Sequence, residues 1–451
     1  MITGNIIKIL PPKLKSKAEN NHELRKIMGN INWLTAGIIF RDVIGLFVVA
    51  WVARYLGPEQ FGMMNYAIAF VALFSTLSTL GLDNIVIRNL LLKPENKEKY
   101  LGTSFVLKLF GSFMMLLLSS IVIYFIQPEG TLVRVLVFII AFGYIFKAFD
   151  VIDFWFQSKI QAKYTVYARS ISFFIVSILK VVFILTQSPL VAFVLMFSLD
   201  FLLASLLLIF FYIKEKEGSL FNWKVSIDTV KELLKDSWPL ILSGLAVTIY
   251  MKIDQVFIGN MLGQEELGIY SSAVKLSEAW FFIPTVVTAS VFPAILNAKK
   301  KSEKLYYKRF QMLFDGFTWF TILVALVVTF LSPVIIRILY GQEYIEAAKV
   351  LSVHIWAGVA VFGGVGMGRY LIAENLTKIS LFTTVLGAIT NIILNIILIP
   401  KFGIMGAAYT TIATYFISTY AVLIPKKSRG IGLQLLRSFD LFRYFRVIKN
   451  R

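Results

Sequence analysis

The sequence predicts an all-α polytopic membrane protein, and three observations carry that prediction. Twelve long apolar stretches run along the 451 residues. Charged residues make up 16% of the chain and hydrophobic residues 58%, whereas a soluble domain carries about 25% charge. The short loops between the stretches alternate between rich and poor in Lys and Arg, as the positive-inside rule requires of a membrane chain.

A spanning helix needs about 20 mostly apolar residues. On that measure the helices fall at 31–54, 62–82, 103–126, 131–155, 164–186, 190–213, 238–261, 267–296, 311–339, 347–373, 379–399 and 404–424. The stretches 267–296 and 311–339 are long and carry Pro284, Pro293 and Pro333, so kinks or interfacial extensions are expected there. Basic residues gather in the tail 1–30, in 88–99, 159–163, 214–235 and 299–309, at Lys378 and in the tail 425–451. Arg54, Lys401, Arg134 and Arg337 fall on the other side. That sorting puts both termini in the cytoplasm and makes the helix count even.

The longest loop, 214–237, lies halfway along and is expected to hold an amphipathic helix at Val225–Leu234. The chain therefore divides into a cytoplasmic tail 1–30, an N-lobe 31–213, a linker 214–237, a C-lobe 238–424 and a basic tail 425–451. The stretch 430–451 alternates apolar and basic residues and reads as an amphipathic helix on the anionic leaflet. The net charge of +19 thus points to lipid headgroups; no motif for nucleic acid is present. With no cysteine, disulfides, a thiol nucleophile and a Cys-ligated metal are excluded. No cleavable signal is visible in 1–30, so the first spanning helix is expected to act as the anchor.

A short repeat joins the two halves. Leu56-Gly57-Pro58-Glu59-Gln60-Phe61-Gly62 follows the first helix and Leu262-Gly263-Gln264-Glu265-Glu266-Leu267-Gly268 follows the seventh. Both are expected as extracytoplasmic hairpin turns. A six-helix half keeps its orientation when repeated, so the halves read as parallel repeats about an axis along the membrane normal. Tight turns also favour glycine for their own reasons.

The segment Arg54–Gly62, with the following helix ending Leu80-Gly81-Leu82-Asp83, resembles the N-terminal signature of polysaccharide repeat-unit flippases of the O-antigen, capsule and exopolysaccharide type. Asn391-Ile392-Ile393-Leu394-Asn395 through Pro400-Lys401-Phe402-Gly403-Ile404-Met405-Gly406-Ala407-Ala408 resembles their C-terminal motif. These proteins belong to the multidrug/oligosaccharidyl-lipid/polysaccharide superfamily, with the MATE drug exporters and the lipid II flippases. Lipid II flippases commonly carry two further helices, which this sequence lacks. The resemblance implies a MATE-like V of two six-helix lobes and alternating access in the cytoplasmic (inner) membrane. The implied cargo is an oligosaccharide on a polyprenyl pyrophosphate, and the polysaccharide polymerase and glycosyltransferases are candidate partners.

Charge inside the membrane is the main functional signal, at roughly 2.5–3.5 kcal/mol per residue at a helix centre. Nine basic residues (Arg41, Lys108, Lys147, Arg169, Lys180, Lys252, Lys275, Lys349, Arg369) face seven acidic ones (Asp42, Asp150, Asp153, Asp200, Asp254, Glu278, Asp315). Lys108, Arg169, Lys349, Arg369, Asp153 and Asp315 lie near helix ends, where snorkelling to the interface explains them. The deeper residues call for a cavity or an ion pair. A pyrophosphate needs cations, and the planar fork of arginine suits phosphate. Arg41 is therefore the first candidate ligand, supported by Lys252 and Lys275, with Lys147 and Lys180 next. Asp42, Asp200, Asp254 and Glu278 are the candidates for carrying H⁺ or Na⁺, since a carboxylate in a low-dielectric site can cycle between charged and neutral forms.

Lys275 and Glu278 are three apart and can pair on one helix face. Asn391 and Asn395 share a face and suit interhelical hydrogen bonding or sugar contact. Tyr66, Tyr250 and Tyr270 could stack on sugars, and His354 is read as structural rather than as a proton relay. No metal site, catalytic residue or resident cofactor is expected. A lipid-linked oligosaccharide flippase is favoured over a MATE-like exporter of cationic drugs, which would want an acidic cavity. A membrane glycosyltransferase or polymerase would need larger extracytoplasmic loops, and a structural scaffold would not need so many buried charges.

Overall fold

A computed structural model describes residues 22–440. The outer parts of the two expected tails, 1–21 and 441–451, lie outside the described residues. Those described are helical throughout, with no strand among them. In chain order the helices are α1 His22–Thr79, α2 Asp83–Leu92, α3 Lys97–Ile126, α4 Thr131–Gly143, α5 Val151–Ser158, α6 Ala162–Leu185, α7 Leu190–Lys214 and α8 Ile227–Met261. They continue as α9 Gln264–Glu278, α10 Phe282–Lys299, α11 Glu303–Leu339, α12 Ala347–His354, α13 Ala357–Ala373, α14 Thr377–Phe402, α15 Ile404–Tyr420 and α16 Lys426–Arg437.

Among the described residues, ten helices are long and apolar enough to cross a membrane. Two features separate this count from the twelve expected stretches. Arg41–Leu92 counts as one run although two helices meet there across a kink at Gly57, and α15 has only 17 residues. The expected breaks also move. The helix expected at 131–155 is α4, a 3₁₀ segment Tyr144–Asp150 and α5. The one expected at 267–296 is divided into α9 and α10, and 347–373 into α12 and α13. The helix expected in the linker at Val225–Leu234 is the first part of α8, which runs on through Pro239.

The chain forms two compact units. Unit 1 holds the residues up to Val48 together with Phe70–Gly244; unit 2 holds Val49–Ala69 and the residues from Leu245 onward. Thus the middle of α1, with the first of the two repeat turns, belongs to the same unit as the second. In unit 1 the apolar core gathers Leu82, Val86, Leu101, Trp155, Phe156 and Tyr212. In unit 2 a core of Tyr306, Phe310, Phe314, Tyr370, Ile431 and Leu435 ties α11, α13 and α16 together.

The two repeat turns share a backbone geometry and pack on each other reciprocally. Gly57 (φ 71°) interrupts α1 and Gly263 (φ 102°) precedes α9, a left-handed region that glycine enters without steric cost. Five residues later in each repeat comes the second conserved-in-position glycine. A Cβ on Gly62 would lie 1.7 Å from the Gln264 carbonyl oxygen, and one on Gly268 would lie 1.9 Å from that of Pro58. Pro58 and Gln264 occupy equivalent places in the two heptapeptides, so one close crossing is made twice. Phe61, fully buried, closes it against the Tyr344 ring edge at 6.1 Å, and the Tyr344 hydroxyl donates to the Ala53 carbonyl at 2.7 Å.

At the basic end of unit 2, Glu374 accepts hydrogen bonds from Lys299 at 2.6 Å and from the Tyr306 hydroxyl at 2.7 Å. Burial pushes its carboxyl up, but the two hydrogen bonds and the Lys299 charge prevail and hold it below its ordinary value of 4.5.

Two outcomes are expected. Gly62→Ala and Gly268→Ala each press a methyl into backbone that cannot yield, costing about 1–3 kcal/mol. Thermal unfolding of the purified protein should start several degrees lower, whereas Gly368→Ala, whose Cβ meets nothing within 4 Å, should leave the midpoint unchanged or raise it. For Glu374, a carboxylate with a depressed folded pKa stabilises above the unfolded pKa and loses that contribution as pH falls through the folded one. Glu374→Gln should therefore lower the unfolding temperature at pH 7 and flatten its fall between pH 5 and the acid limit; a parallel acid profile would exclude the contribution.

Candidate functional site

The intramembrane charges collect separately within each unit. In unit 1, α1, α2, α3, the 3₁₀ segment, α6 and α7 enclose a cavity of about 290 Å³. Its wall carries Arg41, Lys108, Lys147 and Arg169 and the carboxylates Asp83, Asp150 and Asp200. Four cations thus face three carboxylates in one small volume.

The local backbone explains how they meet. Residues 144–150 wind as a 3₁₀ helix, in which positions three apart eclipse, so Lys147 and Asp150 share a face. Lys147 lies over the rings of Tyr144 (4.7 Å) and Phe201 (5.2 Å), a favourable seat for a cation on aromatic faces. Arg169 on α6 reaches Asp153 Oδ2 at 2.8 Å and Asp150 Oδ1 at 3.5 Å. Asp153, nearly wholly buried, also accepts from Thr165 at 2.7 Å and Gln157 at 3.0 Å. Lys108 is 2% exposed, 3.8 Å from Asp83 Oδ1 and 4.8 Å over the Phe154 ring. Asp200 accepts the Ser172 hydroxyl at 2.5 Å, and Arg41 Nε donates to the Gly37 carbonyl of its own helix at 3.3 Å.

Of the residues singled out from the sequence, Arg41, Lys147 and Asp200 line this cavity. Lys180 sits apart from its lining, over the Phe197 ring at 5.0 Å. Asp42 is exposed on the other side of α1 and is absent from the lining. The snorkelling expected of Lys108 and Arg169 does not occur. Both turn inward because buried or cavity-facing carboxylates (Asp83, Asp150, Asp153) compensate them. Asp83 figured in the sequence only as the end of the Leu80-Gly81-Leu82-Asp83 motif and not as a site residue: it follows the turn, just inside α2, and its cavity position depends on how the helices assemble. The spacing Asp150-x-x-Asp153 was the available signal, since two carboxylates on adjoining turns require a cation.

Unit 2 holds the rest. Lys252 of α8 pairs with Glu278 of α9 at 3.6 Å, so Glu278 has a partner across helices as well as lying three residues from Lys275 on its own. Lys275 is half-buried on α9. Asp254 is buried and accepts the Tyr270 hydroxyl at 2.5 Å and the Gln255 backbone N–H at 2.8 Å; Tyr270 also lies 3.3 Å from the Thr411 hydroxyl. His354 Nδ1 meets Ser277 Oγ at 2.8 Å and its ring stands edge-on to Tyr270. Asn395 donates to Asn391 at 2.8 Å and Asn391 to Thr414 at 3.3 Å, joining α14 to α15. Tyr66 and Tyr270 are fully buried, with Tyr66 bound to Asn260 at 2.9 Å, so neither ring is open to a sugar. Tyr250 instead lines a cavity of about 240 Å³ with Tyr415 and the hydroxyls of Ser380, Thr383, Thr384 and Thr419. Among the described residues no group of three or more His, Cys, Asp or Glu could hold a metal ion.

An all-helical chain with helices long and apolar enough to span a membrane and a charge-lined cavity among them has the make-up of a multi-pass membrane transporter. It belongs to the polysaccharide biosynthesis protein family, whose profile matches residues 27–299, and the MatE profile matches 239–397. Both place it in the multidrug/oligosaccharidyl-lipid/polysaccharide superfamily. A capsular polysaccharide biosynthesis protein (CapF) of Staphylococcus aureus is 18% identical over 86% of this chain and 96% of its own length. The "Probable low-salt glycan biosynthesis flippase" of Haloferax volcanii is 29% identical over 44% of this chain and 42% of its own. The fold is also that of the lipid II flippase MurJ in an inward closed conformation, with TM-score 0.68 and 19% identity over 90% of this chain and 91% of that one.

Removing Arg169 would leave Asp153 buried without its cation. Arg169→Met should destabilise by about 2–3 kcal/mol, less than the 3–5 of a fully buried pair, because Thr165 and Gln157 still donate. Adding Asp153→Asn should recover most of that loss. A double-mutant cycle on detergent-extracted protein measures the coupling; strictly additive losses would show that the pair does not interact.

Proposed function

We propose that this protein flips polyprenyl-pyrophosphate-linked oligosaccharides across the cytoplasmic membrane for cell-surface polysaccharide synthesis, by alternating access. The observation that carries the reading is the unit 1 cavity, where four cations converge inside a membrane-spanning unit of a polysaccharide biosynthesis family member. A pyrophosphate meeting such a wall exchanges water for charge-assisted hydrogen bonds. Arg41 and Lys147 are its ligands there, joined by Lys108 and by Arg169 when it turns from its carboxylates. Lys180 adds charge nearby, and Lys252 and Lys275 are the cations that unit 2 offers. The reading includes twelve membrane helices with both termini in the cytoplasm, and no catalytic step. The polymerase and glycosyltransferases of the pathway act before and after it.

Coupling to H⁺ or Na⁺ belongs to the same proposal. Asp200 lies in the cavity wall and accepts a hydrogen bond from the Ser172 hydroxyl. Asp254 and Glu278 are the candidates of unit 2, and Asp42 is the weakest because it stands exposed and outside the cavity lining. The match to the MatE profile supports a second reading, export of cationic drugs. The cation-rich unit 1 cavity disfavours it, because a positively charged drug would meet its own sign.

Reconstitution in liposomes tests both readings. A fluorescent polyprenyl-pyrophosphate oligosaccharide is placed in both leaflets, and the fraction open to external glycosidase is followed with and without H⁺ or Na⁺ gradients. Protein-dependent exposure is expected, with gradient dependence naming the ion. Efflux of cationic dyes without glycan exposure would transfer the chain to the drug-exporting branch. Arg41→Ala should abolish translocation at normal abundance and Arg41→Lys should keep part of it; full activity of the Ala variant would remove Arg41 from the site.

A further inference from the structure

A third cavity, in unit 2, has the opposite character. It is a groove of about 570 Å³ between α10 and α11, floored by Phe362 of α13, within the roughly 300–1,000 Å³ of ligand sites. Ile283, Val287 and Val291 line it on α10 and Met312, Gly316 and Phe320 on α11, both rows at four-residue spacing along one helix face. Every lining residue is apolar or glycine except Arg309. The two helices are antiparallel across the turn 300–302, so Arg309 lies at the end that bears Lys299, Lys300, Lys301, Lys304 and Lys308. That is the end the positive-inside rule assigns to the cytoplasm.

From Arg309 to Phe320 the groove is about 17 Å long at 1.5 Å per residue, close to one leaflet of a hydrocarbon core about 30 Å thick. Arg309 donates to the Ala294 carbonyl, and no carboxylate among the described residues pairs with it. A guanidinium has five donors, so most of its capacity remains for an anion at the groove mouth. At Gly316 an added Cβ would meet nothing within 4 Å; the groove is open where that side chain would stand.

We propose that this groove seats the isoprenoid chain of a polyprenyl phosphate in the cytoplasmic leaflet, with its first phosphate on Arg309. The inference rests on the flippase reading for the identity of the lipid. A phospholipid hangs two acyl chains beneath one phosphate, whereas this is a single slot ending at a single cation. The polyprenyl carrier has one chain beneath its phosphate and matches both. The groove is distinct from the charged cavity of unit 1 and adds a hold on the lipid that is indifferent to the sugar.

The test uses full-length protein in phosphatidylcholine nanodiscs and a polyprenyl monophosphate with a diazirine in its chain, carrying no glycan. Photolabelled peptides should map to α10 and α11. Gly316→Leu, which fills the groove, should cut labelling about tenfold, a change worth one decade in affinity; Gly316→Ala should retain it, and Arg309→Gln should weaken it. Unlabelled polyprenyl phosphate should compete and phosphatidylglycerol should not. Unchanged labelling in Gly316→Leu overturns the proposal, as does equal competition by phosphatidylglycerol, which would make the groove an ordinary part of the lipid annulus. The two readings fail separately. Glycan exposure in liposomes without groove labelling leaves the flippase and removes the groove, while labelling without glycan exposure does the reverse.

Discussion

The cost of charge in hydrocarbon organises unit 1. Arg169 lines the cavity of unit 1 beside three carboxylate-bearing elements, and Asp153 could not be buried on α5 without a cation. Their 2.8 Å contact answers that demand and adds a charged tie to two helices that already pack through Phe156 and Tyr164, ring centroids 5.1 Å apart. Beside it lie Asp150, 3.5 Å from Arg169, and the polar wall that Arg41, Lys147 and Asp200 complete. A cavity of this kind is a by-product of compensation: once enough ions are paired off, those left half-paired face open space.

Unit 2 is governed by steric approach instead. The reciprocal crossing of Gly62 on Gln264 and Gly268 on Pro58 brings two backbones nearer than any side chain allows. In membranes, where lipid is as apolar as leucine, such close approach is a main source of cohesion between helices. The polar contacts of this unit (Tyr270 with Asp254, Asn391 with Thr414 and His354 with Ser277) run between helices and hold them in place.

Much of this was legible in the sequence, for identifiable reasons. Apolar length and loop charge depend only on local composition, which is why most helix positions fall within a few residues of expectation. The repeat was visible because a left-handed turn needs glycine at Gly57 and Gly263 whatever surrounds it. The 3₁₀ winding at 144–150 was not visible, because tertiary packing sets it, whereas the interruption after Glu278 falls just before Pro284, in a stretch whose prolines predict a kink. The membership of the cavity was half legible. Arg41, Lys147 and Asp200 are deep enough to be noticed, but Lys108, Arg169 and Asp83 sit near helix ends, where depth along one helix does not predict what another helix presents. Partner choice was hidden for the same reason: Lys252 reaches Glu278 across a helix gap that sequence spacing does not record.

The near balance of charge in the unit 1 wall has a kinetic meaning. A pocket of bare cations would bind a multivalent anion tightly and hold it, since every contact would have to be given up to water on leaving. Here Lys108 and Arg169 have carboxylates within 4 Å, ready to take back the proton donors as the guest departs. Arrival and departure become exchanges of one partner for another, so the well is shallow and the residence time short. A machine that moves its cargo and must be empty for the next cycle is better served by that arrangement than by a stronger grip.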